Sequence, residues 1–355
     1  MPLSTTLFHL SHIDLDGYSA QLVTQELFKE THYFNANYGP EVLDRLEQIL
    51  KSVDAMSTPA LILISDLNLT LSESKMIDAA VATRPHVSLL LLDHHGSGKE
   101  SAEIFAWYTL DTTRCATQIT YDYALAHWNI PQERQAWLAP YVAIVNAVDL
   151  WRIEQESNFE YGKVCMRLVT ETRELNRYMF DTQDRDYKFA LLTEAAHHAQ
   201  LPNAPIALDD AIHAMKKRFF KRDIDGTLDS LATRYIVERI GTIKEQLLVS
   251  YRGYTGLLTY ALGNTSILGN GILKAYRDID FVMDVGARGT VSLRADFGVD
   301  VSVIAKEIAD GGGHPNASGG RLQGFKEQYQ YTKVKSIVEK LLLDKEPTSQ
   351  LPMKG

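Results

Sequence analysis

Short apolar segments alternate with helical patterns through the first 150 residues, and this alternation limits the fold more than any other feature of the chain. Strands are predicted at residues 5–10, 33–38, 60–65 and 87–92. Helices are predicted between them, at 18–29, 41–56 and 72–83, with Ser72 as the N-cap of the third. Buried strands that alternate with helices form parallel sheets through right-handed crossovers. We therefore predict an α/β fold whose N-terminal domain is a doubly wound, mostly parallel sheet.

Polar side chains follow three of the four predicted strands, at the point where each strand ends. They are His12, Asp14 and Asp16 after the first strand, Asp66 after the third, and Asp93, His94 and His95 after the fourth. Singly, these segments have ordinary explanations: "HIDLDG" suits an Asp-Gly turn in which Asp16 caps the next helix, and "SDLN" suits a helix-entry loop. Ligands of parallel sheets, however, bind beyond the carboxyl ends of the strands. Because three strand ends carry such residues, we predict that they converge on one site.

A cluster of carboxylates and imidazoles is typical of a divalent metal site. Neighbouring carboxylates repel one another and take up protons unless cations neutralise them. A ligand set without thiolate favours Mn²⁺, with Mg²⁺ as the alternative, over structural zinc. Asp149, in the apolar helical segment "PYVAIVNAVDLWRI", is a further ligand if it is buried, and a solvent-facing helix-end acid otherwise. Two cations roughly 3.5–4 Å apart would activate a water molecule and neutralise a phosphoryl group.

The composition fits a two-domain globular protein. The chain has 355 residues, of which 45% are hydrophobic and 23% charged. A formal charge of −9 argues against stable binding of duplex DNA through a basic surface. Cys115 and Cys165 lack the paired spacing of a disulfide framework or a zinc knuckle. Since the sequence shows neither a signal-peptide pattern nor a membrane-spanning apolar run, we expect a cytoplasmic protein without membrane partners, and a homodimer is left open.

The rest of the chain predicts a helical segment and a smaller C-terminal α/β domain. A helical insert ends in an amphipathic stretch, residues 228–249, that we expect to connect the domains. Within the insert, "KKRFFKR" is more typical of a solvated helix face than of a nucleic-acid contact. Further strands are predicted at residues 255–262, 278–286 and 289–297, and a helix at 301–309. The predicted domain organisation is 1–155, 156–249 and 250–345.

A glycine-rich segment, "GGGHPNASGGRL" at residues 311–322, follows the last of these helices. Glycines alone would predict a flexible turn. Glycines also let successive backbone N–H groups turn inward as an anion-binding nest, and His314 would add a donor to the same anion. The histidine and the small residues embedded among the glycines favour a phosphate-binding segment.

Four motifs in this order resemble the DHH phosphoesterases. They are "HIDLDG", "SDLN", "LDHHGSG" and "NAVDLW", and the first is closer to the RecJ-like and nanoRNase members than to the pyrophosphatases. The C-terminal part resembles the DHH-associated domain, whose GGGH motif and upstream strand arginine bind a nucleotide end. In this chain those residues are Arg294, Gly312, Gly313 and His314. The segment "GNTSILGNGILKAY", at residues 263–276, is also similar to that domain, with no site role assigned.

The resemblance implies a dinuclear metal centre. One metal would be held by His12, Asp14 and Asp66, and the other by Asp16, Asp66, His94 and Asp149. Asp66 would bridge the two metals, and His95 would contact the substrate phosphate. Asp93 would orient a neighbouring histidine. Which of His94 and His95 is the metal ligand stays open at this point.

The resemblance also implies a metal-dependent phosphodiesterase that hydrolyses short RNA or DNA oligonucleotides. The alternative substrates are linear or cyclic dinucleotides and nucleoside bisphosphates such as pAp, while inorganic pyrophosphate is disfavoured by the GGGH segment. An alternative of another class is a catalytically idle nucleotide-sensing module. The complete set of metal-ligand types favours the enzyme.

Overall fold

The chain divides into two compact units in the computed structural model, which describes residues 3–199, 201–296 and 298–346. The first unit consists of Met1–Thr172 and Arg185–Met215. The second consists of Arg173–Asp184 and Lys216–Gly355. The predicted domain boundaries stay a prediction, because compact units defined by spatial contacts need not coincide with folding domains.

A five-stranded parallel sheet forms the centre of the first unit, as predicted. Its strands are β1 (Leu3–Ser11), β2 (Phe28–Asn35), β3 (Ala60–Ser65), β4 (Val87–Asp93) and β5 (Tyr108–Leu110), in the spatial order β2-β1-β3-β4-β5. The helices between the strands are α1 (Leu15–Thr24), α2 (Pro40–Asp54), α3 (Leu71–Ala82) and α4 (Lys99–Ile104), and a short 3-10 helix spans Gly96–Gly98. Two more helices, α5 (Ala116–His127) and α6 (Gln132–Asp149), follow β5.

The sheet lies between two apolar layers, because alternate strand residues point to opposite faces. Phe8 and Ile62 belong to a buried cluster with residues of α2 and α3. Leu7 and Leu63 belong to a second cluster with residues of α5 and α6. Strands buried on both faces read as continuous apolar runs in the sequence, which is why β3 and β4 were predictable.

Several predicted boundaries in this unit are wrong. Strand β2 begins at Phe28 and not at residue 33, so the preceding helix ends earlier than predicted, at Thr24. Helix α3 is capped by Thr70 and not by Ser72: the Thr70 hydroxyl accepts from the Glu73 amide, and the Glu73 carboxylate accepts from the Thr70 amide. This reciprocal capping box satisfies two backbone donors at once, which Ser72 does not do. The short edge strand β5 was not predicted.

The middle of the chain is helical, as predicted. Its helices are α7 (Glu156–Thr170), α8 (Asp181–His198), α9 (Ala204–Phe220) and α10 (Leu228–Leu247). Helix α10 coincides with the predicted amphipathic stretch 228–249 to within two residues. Among the described residues, no helix combines the length and the apolar character needed to cross a membrane.

A six-stranded mixed sheet forms the core of the second unit. Its elements are β6 (Leu248–Tyr251), β7 (Tyr254–Tyr260), α11 (Thr265–Ala275), β8 (Phe281–Val285), β9 (Thr290–Ala295), α12 (Val301–Ala309), β10 (Gly312–His314), β11 (Ala317–Arg321) and α13 (Tyr331–Lys345). The strand order is β10-β11-β9-β8-β7-β6, and only the pair β7 and β8 is parallel. Phe297, the last residue of the predicted strand 289–297, lies outside the described residues.

The glycine-rich segment contains the paired strands β10 and β11 at the edge of this sheet, and not a flexible turn. Strand β10 pairs with β11 in antiparallel register, with Gly312 opposite Gly319 and His314 opposite Ala317. The glycines allow unusually close backbone approach: a Cβ on Gly311 would lie 2.0 Å from the carbonyl oxygen of Gly319. The segment therefore stays extended because its glycines pack backbone against backbone.

Asp284, buried in β8, gives the second unit a predictable pH response. Its Oδ1 accepts hydrogen bonds from the Thr259 hydroxyl (2.7 Å) and the Leu262 amide (3.1 Å), and burial raises the pKa of Asp284 to about 6. The unfolded pKa is near 3.9, so the stability from this carboxyl is complete below about pH 4 and is lost as the pH rises through about 6.

Asp284→Asn should remove this pH response, because the asparagine oxygen still accepts both hydrogen bonds. When the pH rises from 4 to 7, titration of Asp284 should lower the free energy of unfolding of the wild type by roughly 2–3 kcal/mol. The variant should lack this contribution. Urea denaturation across this range measures the difference, with the exposed Asp344→Asn as the control variant. Parallel pH profiles for wild type and Asp284→Asn would contradict the assignment.

Candidate metal centre

Three adjacent strands of the first unit end side by side. In the sheet register Ser11 of β1 lies opposite Ser65 of β3, and Ser65 lies opposite Leu92 of β4. The residues that follow these positions therefore emerge together at the carboxyl edge of the sheet, as the sequence predicted. Asp66 leaves β3 with φ of 56°, a left-handed conformation that is uncommon for residues other than glycine, asparagine and aspartate.

Three groups of potential metal ligands lie at this edge. Within each group, one ligand atom per residue lies within 4.8 Å of the others. The groups are His12, Asp14 and Asp66; Asp16, His94 and Asp149; and Asp66, His94 and His95. All six predicted metal ligands are thus brought together, and Asp66 and His94 each belong to two groups. Asp149 joins them as the last residue of α6.

His94 faces carboxylates from three different segments. Its Nε2 lies 3.3 Å from Oδ1 of Asp66, 3.6 Å from Oδ2 of Asp149 and 3.7 Å from Oδ2 of Asp16. These separations exceed ordinary hydrogen-bond lengths. On the other side of Asp66, Nδ1 of His12 lies 3.7 Å from Oδ2 of Asp66 and 2.9 Å from Oδ2 of Asp14.

The ligand atoms suit divalent cations. Asp66 Oδ2 and Asp149 Oδ2 are buried without a hydrogen-bond partner, although buried polar atoms are normally paired. Burial and the charges of Asp16 and Asp14 raise the pKa of Asp149 to about 8, and the same causes raise the pKa of Asp66. Bound cations would give the unpartnered oxygens a ligand and would neutralise the repulsion between the carboxylates. Oxygen and imidazole ligands without thiolate suit Mn²⁺ or Mg²⁺.

Asp14 and Asp16 have different second roles. Asp14 is the N-cap of α1 and accepts from the Gly17 amide. Burial alone would raise the pKa of Asp14, but hydrogen bonding and charge from His12, together with the Gly17 amide, lower it to about 2. Asp16 does not cap α1: its two oxygens accept from the amides of Ala116 (2.7 Å) and Thr117 (2.8 Å) in the first turn of α5. The prediction that Asp16 caps the next helix, α1, is thus wrong, and its carboxylate instead binds the N-terminal amides of α5.

His95 belongs to a chain of hydrogen bonds that joins Tyr38, His95, Asp93 and Tyr108. Its Nδ1 lies 2.7 Å from Oδ1 of the buried Asp93, and this hydrogen bond raises the pKa of His95. The other oxygen of Asp93 accepts from the Tyr108 hydroxyl at 3.0 Å. With Nδ1 donating to Asp93, Nε2 of His95 accepts from the Tyr38 hydroxyl, also at 3.0 Å.

Neither tyrosine was predicted from the sequence. For Tyr108 the only indirect sequence signal was the second glycine of "HHGSG", Gly98. In the structure a Cβ on Gly98 would lie 1.9 Å from the Tyr108 hydroxyl oxygen, so this glycine makes room for the hydrogen bond to Asp93. Tyr38 follows β2 in a loop, and its ring centroid lies 4.5 Å from that of His12. No local pattern marks it.

Two of the predicted substrate residues of the second unit, Arg294 and His314, share one face of its sheet. Ala317 of β11 lies opposite both Arg294 of β9 and His314 of β10, so the three side chains point the same way across three strands. Two strand spacings put the Cα atoms of Arg294 and His314 on the order of 10 Å apart.

The guanidinium of Arg294 donates only to the neutral Leu293 carbonyl and Ser266 hydroxyl. Its positive charge has no carboxylate partner among the described residues.

Gly312 and Gly313 differ in what the fold requires of them. Gly313 has φ of 145°, and a Cβ there would lie 2.7 Å from the Ala317 carbonyl oxygen, so the fold itself demands glycine. Gly312 has an ordinary backbone conformation with nothing within 4 Å of an added Cβ. Internal packing therefore does not explain the glycine at position 312.

The clustered carboxylates and imidazoles define a candidate site for divalent cations. No family model matches the sequence. A 3',5'-cyclic-nucleotide phosphodiesterase of Helicobacter pylori (strain ATCC 700392 / 26695) is 42% identical over 342 residues, which cover 94% of this chain and 98% of the relative. The chain therefore belongs to the same family of phosphoesterases as this enzyme.

One solved structure is similar to almost the whole chain. The crystal structure of an uncharacterized protein from Helicobacter pylori G27 is 41% identical, covers 96% of this chain and 99% of its own, and has a TM-score of 0.91. The crystal structure of exonuclease RecJ bound to manganese matches with a TM-score of 0.34 and 14% identity over 98% of this chain and 91% of its own. A similarity that low supports no inference about the present chain.

Proposed function

We propose that this protein is a divalent-metal-dependent phosphodiesterase that hydrolyses small nucleotide phosphodiesters. The observation that carries the proposal is the set of three ligand groups that share Asp66 and His94, with unpartnered buried atoms on Asp66 and Asp149. Membership of a phosphoesterase family supports it. The cations, when bound, would lower the pKa of a water molecule and offset charge on the phosphoryl group.

The geometry supports a distinct role for each histidine of the DHH motif. We assign His94 to the metals, because its Nε2 faces three carboxylates. We assign His95 to the substrate phosphate, because its Nδ1 is held by Asp93 and only Nε2, now bonded to Tyr38, is left to contact a ligand. In this proposal His12, Asp14 and Asp66 hold one cation, and Asp16, Asp66, His94 and Asp149 hold the other.

Two substrate classes are supported by different observations. An uncompensated Arg294 beside the exposed Gly312, Gly313 and His314 supports recognition of a nucleotide phosphate, which suits short oligonucleotides, dinucleotides or pAp. The name of the relative supports 3',5'-cyclic nucleotides. Short oligonucleotides are our first candidate because the recognition residues belong to this chain, and cyclic nucleotides are the second.

A substrate panel tests the proposal. The Mn²⁺-supplemented protein is incubated with labelled RNA and DNA from dinucleotides to long strands, with pAp, cyclic dinucleotides and 3',5'-cyclic mononucleotides alongside. We expect hydrolysis of the shortest linear substrates or of cyclic nucleotides. Cleavage of long strands alone would rule out a small-nucleotide enzyme. Nucleotide binding without any hydrolysis would instead identify a sensing module.

Gly312→Ala is expected to weaken substrate binding without changing stability. Since the added methyl group meets no atom of the protein within 4 Å, the melting temperature should stay within about 1 °C. If a phosphate approaches the backbone here, KM should rise about tenfold or more. Gly226→Ala, a loop glycine with only ordinary contacts at 3.7 Å, is the control. An unchanged KM would remove Gly312 from the substrate site.

Tyr38→Phe is expected to lower kcat/KM by about 5- to 10-fold, because it removes one hydrogen bond to the His95 ring. Metal affinity should change little, since the hydroxyl reaches only the backbone carbonyl of Asp66, at 3.5 Å, and not its carboxylate. Steady-state kinetics and Mn²⁺ titration measure the two quantities. The control is Tyr123→Phe. Tyr123 is distant from the DHH motif in the sequence, and its ring packs against His127 and Trp128. Loss of metal with normal turnover at saturating Mn²⁺ would contradict this role.

A further inference from the structure

Helix α11 has no role in the function described so far, although its sequence stands out. It lies directly against the strand that carries Arg294, through Ser266 and Gly269. We propose that α11 is a positioning element that holds Arg294 in the orientation needed to bind the substrate phosphate, an inference that rests on the proposed function of Arg294. Ser266 fixes the guanidinium, and Gly269 makes room for the aliphatic stem.

Ser266 binds the end of the arginine side chain. Its hydroxyl oxygen accepts from Nη2 of Arg294 at 2.6 Å, while Nη1 donates to the Leu293 carbonyl at 2.8 Å. Both acceptors are neutral, so they orient the guanidinium without cancelling its charge. Two of its five N–H groups are engaged in this way, which leaves the others for an anion. An ion pair with a carboxylate would have oriented the side chain equally well but would have competed with a phosphate.

Gly269 acts on the stem of the same side chain. A Cβ at this position would lie 3.0 Å from Cγ and 3.2 Å from Cβ of Arg294. These contacts are tighter than ordinary packing, so a side chain at position 269 would require the stem of Arg294 to shift by a few tenths of an ångström. Glycine is a poor helix former, and here it lies in the middle of α11, where the helix alone disfavours it.

The helix can serve as a support because it is itself well anchored within its unit. Leu268, Ile272 and Leu273 are buried on its inner face. At its C-terminal end, the Tyr276 hydroxyl donates to the Val237 carbonyl of α10 at 2.7 Å. A guanidinium held at both stem and head loses less rotamer freedom when it binds a ligand, which favours affinity.

The test is a double-mutant cycle on the full-length protein with Mn²⁺ and the best substrate of the panel. Ser266→Ala and Gly269→Ala are each measured alone and combined with Arg294→Ala. We expect each single variant to raise KM about 5- to 10-fold with kcat changed less than about twofold, and to have no further effect once Arg294 is absent. Ser266→Thr, which keeps the hydroxyl, should restore a KM near the wild-type value.

Gly271→Ala is a matched control on the same helix. A Cβ there would also meet an atom at 3.0 Å, but that atom belongs to Thr233 on α10 and not to Arg294. The KM of Gly271→Ala should stay near the wild-type value. If it rises as much as the KM of Gly269→Ala, the effect is a general one on the helix and the inference is overturned. Equal effects of Ser266→Ala with and without Arg294 would also overturn it.

The arginine variant separates this inference from the proposed function. If Arg294→Ala raises KM and Ser266→Ala does not, the positioning role fails while the substrate role of Arg294 stands. If Arg294→Ala leaves KM unchanged, the substrate role of Arg294 fails, and the positioning role fails with it. Melting temperatures of all variants exclude unfolding as the cause of a change.

Discussion

Asp66→Asn is expected to lower the hydrolysis rate on the order of a thousandfold or more at saturating substrate, because it removes a carboxylate from two of the three ligand groups at once. Asparagine is the suitable replacement, since position 66 has φ of 56° and asparagine tolerates this conformation better than alanine. Asp66→Ala should abolish turnover as well, with some loss of stability from the backbone.

The stability of the metal-free protein gives an independent readout for the same variant. Asp66 is 2% exposed and lies among other carboxylates, so without cations its charge is unfavourable. In EDTA, Asp66→Asn should therefore melt at or above the temperature of the wild type, whereas Mn²⁺ should raise the melting temperature of the wild type more. Asp344→Asn, on the surface of α13, is the control. Near-normal Mn²⁺-dependent hydrolysis by Asp66→Asn and by Asp66→Ala would contradict the dinuclear assignment.

The adjacent histidines should respond to substitution in opposite ways. His94→Ala should weaken Mn²⁺ binding on the order of 100-fold or more, because Nε2 of His94 faces Asp66, Asp149 and Asp16. His95→Ala should bind Mn²⁺ normally and lose on the order of 100-fold or more in kcat, because it removes the group that we propose to contact the reacting phosphate. Calorimetric Mn²⁺ titration and steady-state kinetics separate the two effects.

Asp93→Asn is the matched variant for this pair, since Asp93 contacts His95 and Tyr108 but belongs to none of the ligand groups. It should follow His95→Ala, with normal Mn²⁺ affinity and reduced kcat. The assignment would be reversed if His95→Ala lost metal and His94→Ala retained it.

The first unit was largely predictable because its candidate metal ligands follow strand ends. The buried runs of β3 and β4 are unmistakable in the sequence, and each is followed at once by Asp66 or by Asp93 and His94. Parallel strands in one sheet necessarily end at one edge, so the convergence of the ligands follows from the order of elements alone.

Features that depend on contacts between distant segments were not predictable. The tyrosine hydroxyl of Tyr38 reaches a histidine 57 residues further along the chain, and the oxygens of Asp16 bind amides 100 and 101 residues away. Neither contact has a local sequence pattern. The alternatives for Asp16 considered only the nearest helix, and the structure shows that a later helix supplies the donors.

In the second unit the geometry of the glycine-rich segment was not predictable. The glycines of "GGGH" were interpreted as freedom to turn, whereas Gly311 and Gly313 permit close pairing of extended strands. Cyclic mononucleotides were not among the substrates predicted from the sequence. The discrimination between linear and cyclic phosphodiesters depends on the shape of a bound ligand, which neither composition nor motif spacing encodes.

Metal content measured by mass spectrometry is the most direct test of the central claim. The protein is stripped with EDTA, reloaded with Mn²⁺ and passed through a desalting column, and Mn²⁺ per chain is then counted for wild type and Asp66→Asn. The shared ligands Asp66 and His94 predict two Mn²⁺ per wild-type chain and a clear loss in the variant. A wild-type protein that hydrolyses its substrate with no Mn²⁺ or other divalent metal bound would contradict the metal centre.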